Sequence, residues 1–245
     1  MNVYSCRNCQ NMICSHAQIE GSIHRQQDRP CEDAVFHRFT DRYLFYGLAD
    51  GQSGTACGAE GGQACLEAIS DYIDSAGMER FLDTPFRDEL PCGFVQVLRR
   101  KLSALADGRG MDLKEFSSTF LAIAIDLKTG KYMLLHLGDG CAIGIPHTGD
   151  PFLLSEPENG LTSCHTWLTT SANAVTHFRV AFGSLDAGKR LILLSDGATC
   201  FCRGRNIPWR AKELMKNGSR QQLQECLLQS DPSDDATCIV LDICG

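Results

Sequence analysis

The chain has 245 residues, of which 43% are hydrophobic and 22% are charged, and its formal net charge is −7. That length can bury a substantial core, in one large domain or two small ones. The negative charge argues against binding to nucleic acid or to anionic lipid, and no apolar run is long enough to span a bilayer. The N-terminus lacks the apolar stretch of a secretory signal, so we expect a cytoplasmic protein whose 14 cysteines are reduced.

The first half of the chain is predicted to contain three strands followed by two helices. Strands are indicated at 17–24, 33–39 and 43–49. From Gly58 to about Ser75, apolar residues recur at helical spacing. A second helix is predicted from Pro91, a suitable first helical residue, to about Ala106.

The second half is rich in strands. The segments 117–125 and 131–138 flank a short loop that ends in glycine, which predicts a β-hairpin. A helix is predicted at 208–229, and further strands at 141–145, 151–155, 177–182, 190–195 and 237–243. The segment 156–176 is irregular and is predicted to form a surface flap over the strand ends. Long runs of strands with the helices grouped together favour the α+β class over alternating βαβ units.

The N-terminal segment 1–16 is rich in cysteine and is treated as separate from a single domain at 17–245. Cys6, Cys9, Cys14 and His16 have a spacing that would suit zinc. A strong zinc signal needs a second matched pair, which the sequence lacks. We therefore expect free thiols here rather than a zinc site.

Acidic residues stand at the ends of five hydrophobic strands. These positions are Asp50, Asp139, Asp196, the pair Asp234–Asp235 and the pair Glu32–Asp33. If the strand ends share one edge of the fold, the carboxylates converge, and converging carboxylates need protons or a cation. Oxygen ligands suit hard ions such as Mg²⁺ or Mn²⁺, and two such ions can polarise a phosphoryl group. Taken singly, however, an Asp-Gly pair after a strand is more typical of a tight turn.

The order of these short blocks along the chain resembles the protein phosphatase 2C family of metal-dependent Ser/Thr phosphatases, in particular its compact bacterial branch. The blocks are Glu32-Asp33, Ala49-Asp50-Gly51, Ser118-Thr119, Leu137-Gly138-Asp139, Ser195-Asp196-Gly197 and Asp234-Asp235-Ala236-Thr237. They cover about residues 20–243. Each block alone is a weak signal, whereas the six in this order are specific.

The resemblance implies a four-layer α-β-β-α sandwich with two antiparallel central sheets. It also implies two Mn²⁺ or Mg²⁺ ions, with Asp50 as bridging ligand, the Gly51 carbonyl on the second ion, and Asp196 and Asp234 on the first. Glu32 and Asp33 would hold metal-bound waters, and Asp139 would help to hold a weaker third ion. The implied activity is hydrolysis of phosphoserine and phosphothreonine in proteins by a metal-activated water.

The sequence departs from the family pattern at three places. Gln52 stands where many members carry a histidine that is proposed to protonate the leaving group; glutamine is no acid, so a metal-bound water or His24 would take that role. Asp28 occupies the position of a phosphate-binding arginine, which leaves Arg29, or the more distant Arg25, as the substitute. Asp235 replaces a usual asparagine, and either it or Asp234 is a possible ligand.

Two functions are consistent with this pattern. The first is a phosphatase that acts on a phosphorylated protein, with a partner Ser/Thr kinase as a possible associate. The alternative is a catalytically weak or silent relative that binds phosphoproteins or regulates a kinase. Neither requires nucleic acid or a membrane, and nothing in the sequence specifies an oligomeric state.

Overall fold

The structure of the protein is a computed structural model that describes residues 2–4, 11–159, 166–185, 190–199 and 220–244. Its strands are β1 (Asn2–Tyr4), β2 (Asn11–Ile19), β3 (Asp33–Phe39), β4 (Tyr43–Asp50), β5 (Phe120–Asp126), β6 (Lys131–Leu137), β7 (Cys141–Ile145), β8 (Phe152–Ser155), β9 (Arg179–Ser184), β10 (Arg190–Leu194) and β11 (Ala236–Cys244). Its helices are α1 (Ser22–Gln27), α2 (Gly58–Ala76), α3 (Met78–Leu82), α4 (Leu90–Arg109), α5 (Ala174–His177), α6 (Asp196–Thr199) and α7 (Arg220–Ser230). Short 3₁₀ turns lie at Arg87–Glu89 and Leu113–Phe116.

The strands form two antiparallel sheets. One has six strands in the order β1-β2-β11-β10-β7-β8, and the other has five in the order β3-β4-β5-β6-β9. Helices α2 and α4 cover the outer face of the five-stranded sheet, and α7 packs beside β2 on the six-stranded sheet. The predicted four-layer α-β-β-α sandwich of the α+β class is therefore confirmed.

The alternation of side chains along β5 explains why this sheet is buried on both faces. Leu121, Ile123 and Ile125 point into the core between the two sheets, where residues such as Leu193 and Ile239 meet them from the other sheet. The intervening residues of β5, Phe120, Ala122 and Ala124, pack against the helices. A strand that packs against apolar residues on both faces has a continuous run of hydrophobic residues, and β5 has such a run.

Most predicted elements lie close to their observed bounds. The hairpin of β5 and β6 turns at Gly130, whose φ of 72° is the left-handed conformation that glycine adopts readily. Helices α2 and α4 begin within one residue of their predicted starts, and α4 extends to Arg109. Of the predicted helix at 208–229, residues 220–229 lie in α7, and 208–219 lie outside the described residues.

The prediction of a strand at 17–24 was wrong in its second half. Strand β2 ends at Ile19, and Ser22–Gln27 forms the helix α1. The backbone N–H groups of Ser22 and Ile23 donate to the carbonyls of Pro232 and Ser233, so the first turn of α1 is docked on the segment before β11. A helix of six residues shows too few turns to reveal its period in the sequence.

The N-terminal cysteine-rich segment is only partly described. Cys6 and Cys9 lie outside the described residues. Cys14 is on β2 and is buried in the core between the sheets, where burial raises its pKa to about 12. His16 is on the same strand, and its Nδ1 lies 2.5 Å from the hydroxyl of Tyr46. Because β2 spans Asn11–Ile19, residues 11–16 belong to the sandwich.

Arg99 on α4 contacts the predicted flap. The Arg99 guanidinium donates hydrogen bonds of 2.9 Å to the carbonyls of Ser171 and Ala172, which fixes this end of the segment 156–176. Residues 160–165 of the segment are outside the described ranges. Within the parts of the chain that are described, no helix has both the length and the apolar character needed to cross a membrane.

Candidate metal centre

Strand pairing brings the acidic residues to one end of the sandwich. Asp33, the first residue of β3, lies directly opposite Asp50, the last residue of β4. In the other sheet, the backbone N–H of Ser195 donates to the carbonyl of Thr237 at 3.0 Å, which places Asp196 beside the segment that precedes β11. In antiparallel sheets the end of one strand meets the beginning of the next, so remote sequence positions become neighbours.

Asp196 is the neighbour that the acidic side chains share. Its charge acts on Asp33, Asp50, Asp139 and Asp234. Burial, followed by the negative charges of Asp33 and Asp196, raises the pKa of Asp50 well above its usual range. Burial also raises the pKa of Asp33, and the charges of Asp235 and Asp196 add to that rise. The described acids therefore destabilise one another unless a cation or protons join them.

Asp33 is held by hydrogen bonds on one side only. Its Oδ2 accepts a hydrogen bond of 2.5 Å from the Thr237 hydroxyl, whereas its Oδ1 is buried and has no hydrogen-bond partner. Oε2 of Glu32 is likewise buried and unpaired by hydrogen bonds. A buried carboxylate oxygen without a donor is costly, and a cation or its water would satisfy it.

The glycines after Asp50 and Asp196 are required by close contacts between backbone segments. A Cβ on Gly197 would lie 2.0 Å from the carbonyl oxygen of Asp235, and one on Gly51 would lie 2.7 Å from that of Glu32. Positive φ occurs at several described glycines, but not at these two. The Asp-Gly pairs therefore mark places where two chain segments touch, and this close contact, not a positive φ, is the reason for glycine at both positions.

Asp139 and Asp50 are positioned from the five-stranded sheet. Burial, followed by the charge of Asp196, raises the pKa of Asp139 to about 6. The backbone of Asp50 exchanges two hydrogen bonds with Thr119: its N–H donates to the hydroxyl at 2.9 Å, and its carbonyl accepts from the backbone N–H at 2.8 Å. The Ser118-Thr119 block thus fixes the end of β4.

Asp235 is occupied by hydrogen bonds. Its Oδ1 accepts from the backbone N–H of Gly21 at 2.8 Å, and its Oδ2 accepts from the backbone N–H of Glu32 and lies 2.8 Å from Nδ1 of His24. One ligand-type atom each from His24, Asp234 and Asp235 lie within 4.8 Å of one another. Since both oxygens of Asp235 are already engaged, Asp234 is the better placed of the two aspartates to receive a cation.

The position of His24 could not be predicted from the sequence. His24 was included in the predicted strand 17–24, but it is on α1 and its side chain is only 2% exposed. The supporting roles of Thr237 and Ser195 were also missed. Their positions in the blocks Ser195-Asp196 and Ala236-Thr237 were the available signal, because a hydroxyl beside a carboxylate can donate a hydrogen bond to it.

The arginines lie at the rim of the site. Arg29 contacts the carboxylate of Glu32 and is partly exposed. Arg25 is turned towards Asp231, at 2.8 Å, and towards the carbonyl of Glu20. A small cavity of about 390 Å³ lies between these two arginines, Asp28 and Pro30. Gln52 is exposed at the end of the β4 segment.

The sequence matches a model of a known protein family. The model is described as protein phosphatase 2C, and the match covers residues 20–229. The chain belongs to the protein phosphatase 2C family. No curated protein matches this phosphatase 2C sequence closely enough to count as a relative.

Solved structures of phosphatase 2C proteins have the same fold. The catalytic domain of PstP, solved with two manganese ions, is 20% identical over 96% of this chain and 99% of its own, with a TM-score of 0.64. RsbX with magnesium is 15% identical over 99% and 98%, with a TM-score of 0.64. A Ser/Thr phosphatase of S. agalactiae is 18% identical over 95% and 99%, with a TM-score of 0.65. At these identities the likeness establishes the fold alone.

The described residues fit a divalent cation. The donors are carboxylate oxygens and backbone carbonyls, which hard ions prefer over the nitrogen and sulfur ligands of zinc. The unpaired Oδ1 of Asp33 and the mutual repulsion around Asp196 are both relieved by positive charge. In this phosphatase 2C chain the site therefore has the composition and the charge of a metal centre.

Proposed function

We propose that this protein is a metal-dependent phosphatase that hydrolyses phosphoserine and phosphothreonine in proteins. The observation that carries the proposal is the convergence of acidic side chains around Asp196 at one end of the phosphatase 2C sandwich. These residues are Asp33, Asp50, Asp139 and Asp234. Membership of the family supports the reaction class. The metal ions in the structures of PstP and RsbX support manganese or magnesium as the cofactor.

Three aspartates and one backbone carbonyl are proposed to hold the ions. Asp50 would bridge two ions, the carbonyl of Gly51 would bind the second, and Asp196 and Asp234 would bind the first. Glu32 and Asp33 would accept hydrogen bonds from bound waters, and Asp139 would contribute to a weaker third site. When bound, Mn²⁺ or Mg²⁺ supplies Lewis acidity that polarises phosphoryl oxygens and lowers the pKa of water.

Arg29 is proposed to bind the substrate phosphate. It lies on the same loop as Glu32, and its guanidinium can form paired hydrogen bonds with phosphate oxygens. Both guanidinium groups are engaged, Arg29 by Glu32 and Arg25 by Asp231 and the carbonyl of Glu20. Arg25 is the weaker candidate, because its partners are not residues that we assign to the metal centre. Asp50, Asp196 and Arg29 are thus the residues that we assign to catalysis.

The first experiment is hydrolysis of p-nitrophenyl phosphate and of a phosphothreonine peptide with Mn²⁺. We expect turnover that EDTA abolishes and that Asp196→Asn lowers by at least about a hundredfold, since a metal ligand is lost. Asp150→Asn, in the exposed turn between β7 and β8, is the matched control and should retain activity. Turnover that survives EDTA, or that Asp196→Asn leaves unchanged, would refute the proposal.

A catalytically silent phosphoprotein-binding or kinase-regulating module is the second candidate. It is favoured by Gln52, which cannot act as a general acid, and by Asp28, which puts a negative charge where the family has a phosphate-binding arginine. Calorimetry with the phosphothreonine peptide in EDTA separates the two functions. A silent binder takes up the peptide without metal and without turnover, whereas the phosphatase needs the ion.

A further inference from the structure

A single buried carboxylate holds both ends of the loop that carries Glu32 and Arg29. Asp235 is 2% exposed, and its two oxygens engage three donors: the backbone N–H of Gly21, the backbone N–H of Glu32, and Nδ1 of His24. Gly21 precedes α1, and Glu32 immediately precedes β3. Asp235 therefore holds the two ends of the loop 21–32 together through hydrogen bonds.

His24 occupies the centre of this loop. It is on α1, its Nδ1 lies 2.8 Å from Oδ2 of Asp235, and its Nε2 lies 3.6 Å from Oε2 of Glu32. Its backbone carbonyl accepts a hydrogen bond of 3.0 Å from the N–H of Arg29. Asp28, between the two, has a φ of 53°, a conformation that residues other than glycine adopt rarely. His24 thus contacts Glu32 through its imidazole and Arg29 through its backbone carbonyl.

We propose that His24 and Asp235 are positioning residues, which act as a pair to hold Arg29 and Glu32 in the geometry that binds phosphate. The inference rests on the proposed function, because it assigns Arg29 to the phosphate. Asp235 and His24 themselves touch neither substrate nor cofactor in this role. Their effect passes through the backbone N–H of Glu32, the carbonyl of His24, and the Glu32 carboxylate that contacts Arg29.

The pair explains why aspartate stands here in place of the family's usual asparagine. Three donors converge on the side chain, and a carboxylate offers two acceptor oxygens to receive them. Asparagine has only one side-chain oxygen. Its NH₂ group would therefore face the backbone N–H of either Gly21 or Glu32, and two donors cannot form a hydrogen bond with each other. In this chain, Asp235→Asn is therefore expected to loosen the loop even though it restores the residue usual in the family.

Both ends of the loop also have backbone hydrogen bonds that do not involve the pair, so we expect the variants to fold. The first turn of α1 is held independently by hydrogen bonds of 2.9 and 3.2 Å to the carbonyls of Pro232 and Ser233. The other end of the loop is held by the N–H of Gly51, which donates to the carbonyl of Glu32 at 3.1 Å. In our proposal, His24 sets the position of residues 28–32 relative to these two groups of backbone hydrogen bonds.

The test compares His24→Leu, His24→Asn and Asp235→Asn with the exposed control His147→Leu, in the full chain. Leucine removes the donor, whereas the asparagine amide can still donate to Asp235. We expect KM for p-nitrophenyl phosphate with saturating Mn²⁺ to rise about tenfold in His24→Leu and Asp235→Asn, with kcat changing much less, because a hydrogen bond to a charged group is lost. His24→Asn should recover most of the wild-type KM. Hydrogen exchange of the segment 20–33 should become faster in the two damaged variants only.

A double-mutant cycle separates positioning from a general loss of stability. If His24 acts through Arg29, the effect of His24→Leu on KM should disappear in an Arg29→Ala background. An unchanged KM, or a full effect of His24→Leu in that background, overturns the proposal. If the wild-type protein shows no metal-dependent turnover, the proposed function fails and with it the link to phosphate. Hydrogen exchange still tests whether the pair positions the loop. If exchange of the segment 20–33 is unchanged in His24→Leu and Asp235→Asn, the positioning role is refuted as well.

Discussion

The hydroxyl of Thr237 donates a 2.5 Å hydrogen bond to Asp33, across the interface between the two sheets. This bond lowers the pKa of Asp33, against the burial that raises it. Thr237→Val keeps the shape of the side chain and removes the donor, so it should favour the protonated form of Asp33 and weaken Mn²⁺ binding about tenfold at pH 7. Calorimetric titration with Mn²⁺ measures this. Thr237→Ser, which retains the hydroxyl, should bind as the wild type does, and equal weakening by both variants would contradict the argument.

Removal of a negative charge from the centre should stabilise the metal-free protein. Asp196 repels at least four other described aspartates, so Asp196→Asn is expected to raise the free energy of unfolding in EDTA by about 1 kcal/mol. With Mn²⁺ the order should reverse, because the wild type gains more from the ion. Thermal unfolding with and without Mn²⁺ tests both signs. A variant that is less stable than the wild type in EDTA would show that repulsion does not dominate here.

The close approach at Gly197 predicts a strong steric effect. Gly197→Ala would place a Cβ 2.0 Å from the carbonyl oxygen of Asp235, and the backbone on both sides must move. We expect a loss of about 2–4 kcal/mol in the free energy of unfolding, measured by guanidinium denaturation. Gly108→Ala is the matched control. Gly108 is exposed in α4, nothing lies within 4 Å of its added Cβ, and alanine should be neutral there or stabilise by up to about 1 kcal/mol.

The burial of His136 leads us to expect that the protein loses stability in acid. Burial, followed by the positive charge of Arg179, lowers the pKa of His136 to about 3. Between pH 6.5 and 3 the unfolded chain therefore binds a proton that the folded protein does not, and stability falls as the pH falls. From pH 7 to pH 5 the wild type should lose about 2 kcal/mol more than His136→Gln. Urea denaturation at the two pH values measures the difference. The exposed His147→Gln should follow the wild type, and parallel curves for all three proteins would refute the assignment.

The strands and the meeting of their acidic ends could be predicted from the sequence. Asp50 and Asp196 each follow an unbroken apolar run, and such runs are typical of strands buried on both faces. The order of the blocks then resembled one family, from which the sandwich followed. The pairing of the strands could not be predicted from the sequence. Asp33 lies opposite Asp50, and Ser195 lies beside Thr237, because of contacts between segments that are remote in the chain.

The loop before β3 was the least predictable part of the site. The helix α1 is too short for its period to be recognised, and its first turn is stabilised by the carbonyls of Pro232 and Ser233, far away in the chain. His24 and Asp235 are similarly far apart in the sequence. Propensity and periodicity describe local preference, so they contain no information on a hydrogen bond between residues 24 and 235.

The direct opposition of Asp33 and Asp50 also makes the centre dependent on the turn at the other end of the same hairpin. Strands β3 and β4 pair without interruption from Asp33–Asp50 to Phe39–Leu44, and the short connection at 40–42 sets that alignment. A shift of one residue would turn each carboxylate to the opposite face of the sheet. Lengthening or shortening this connection would thus dismantle the acidic cluster without changing any residue in it, so the hairpin loop tolerates changes of identity better than changes of length.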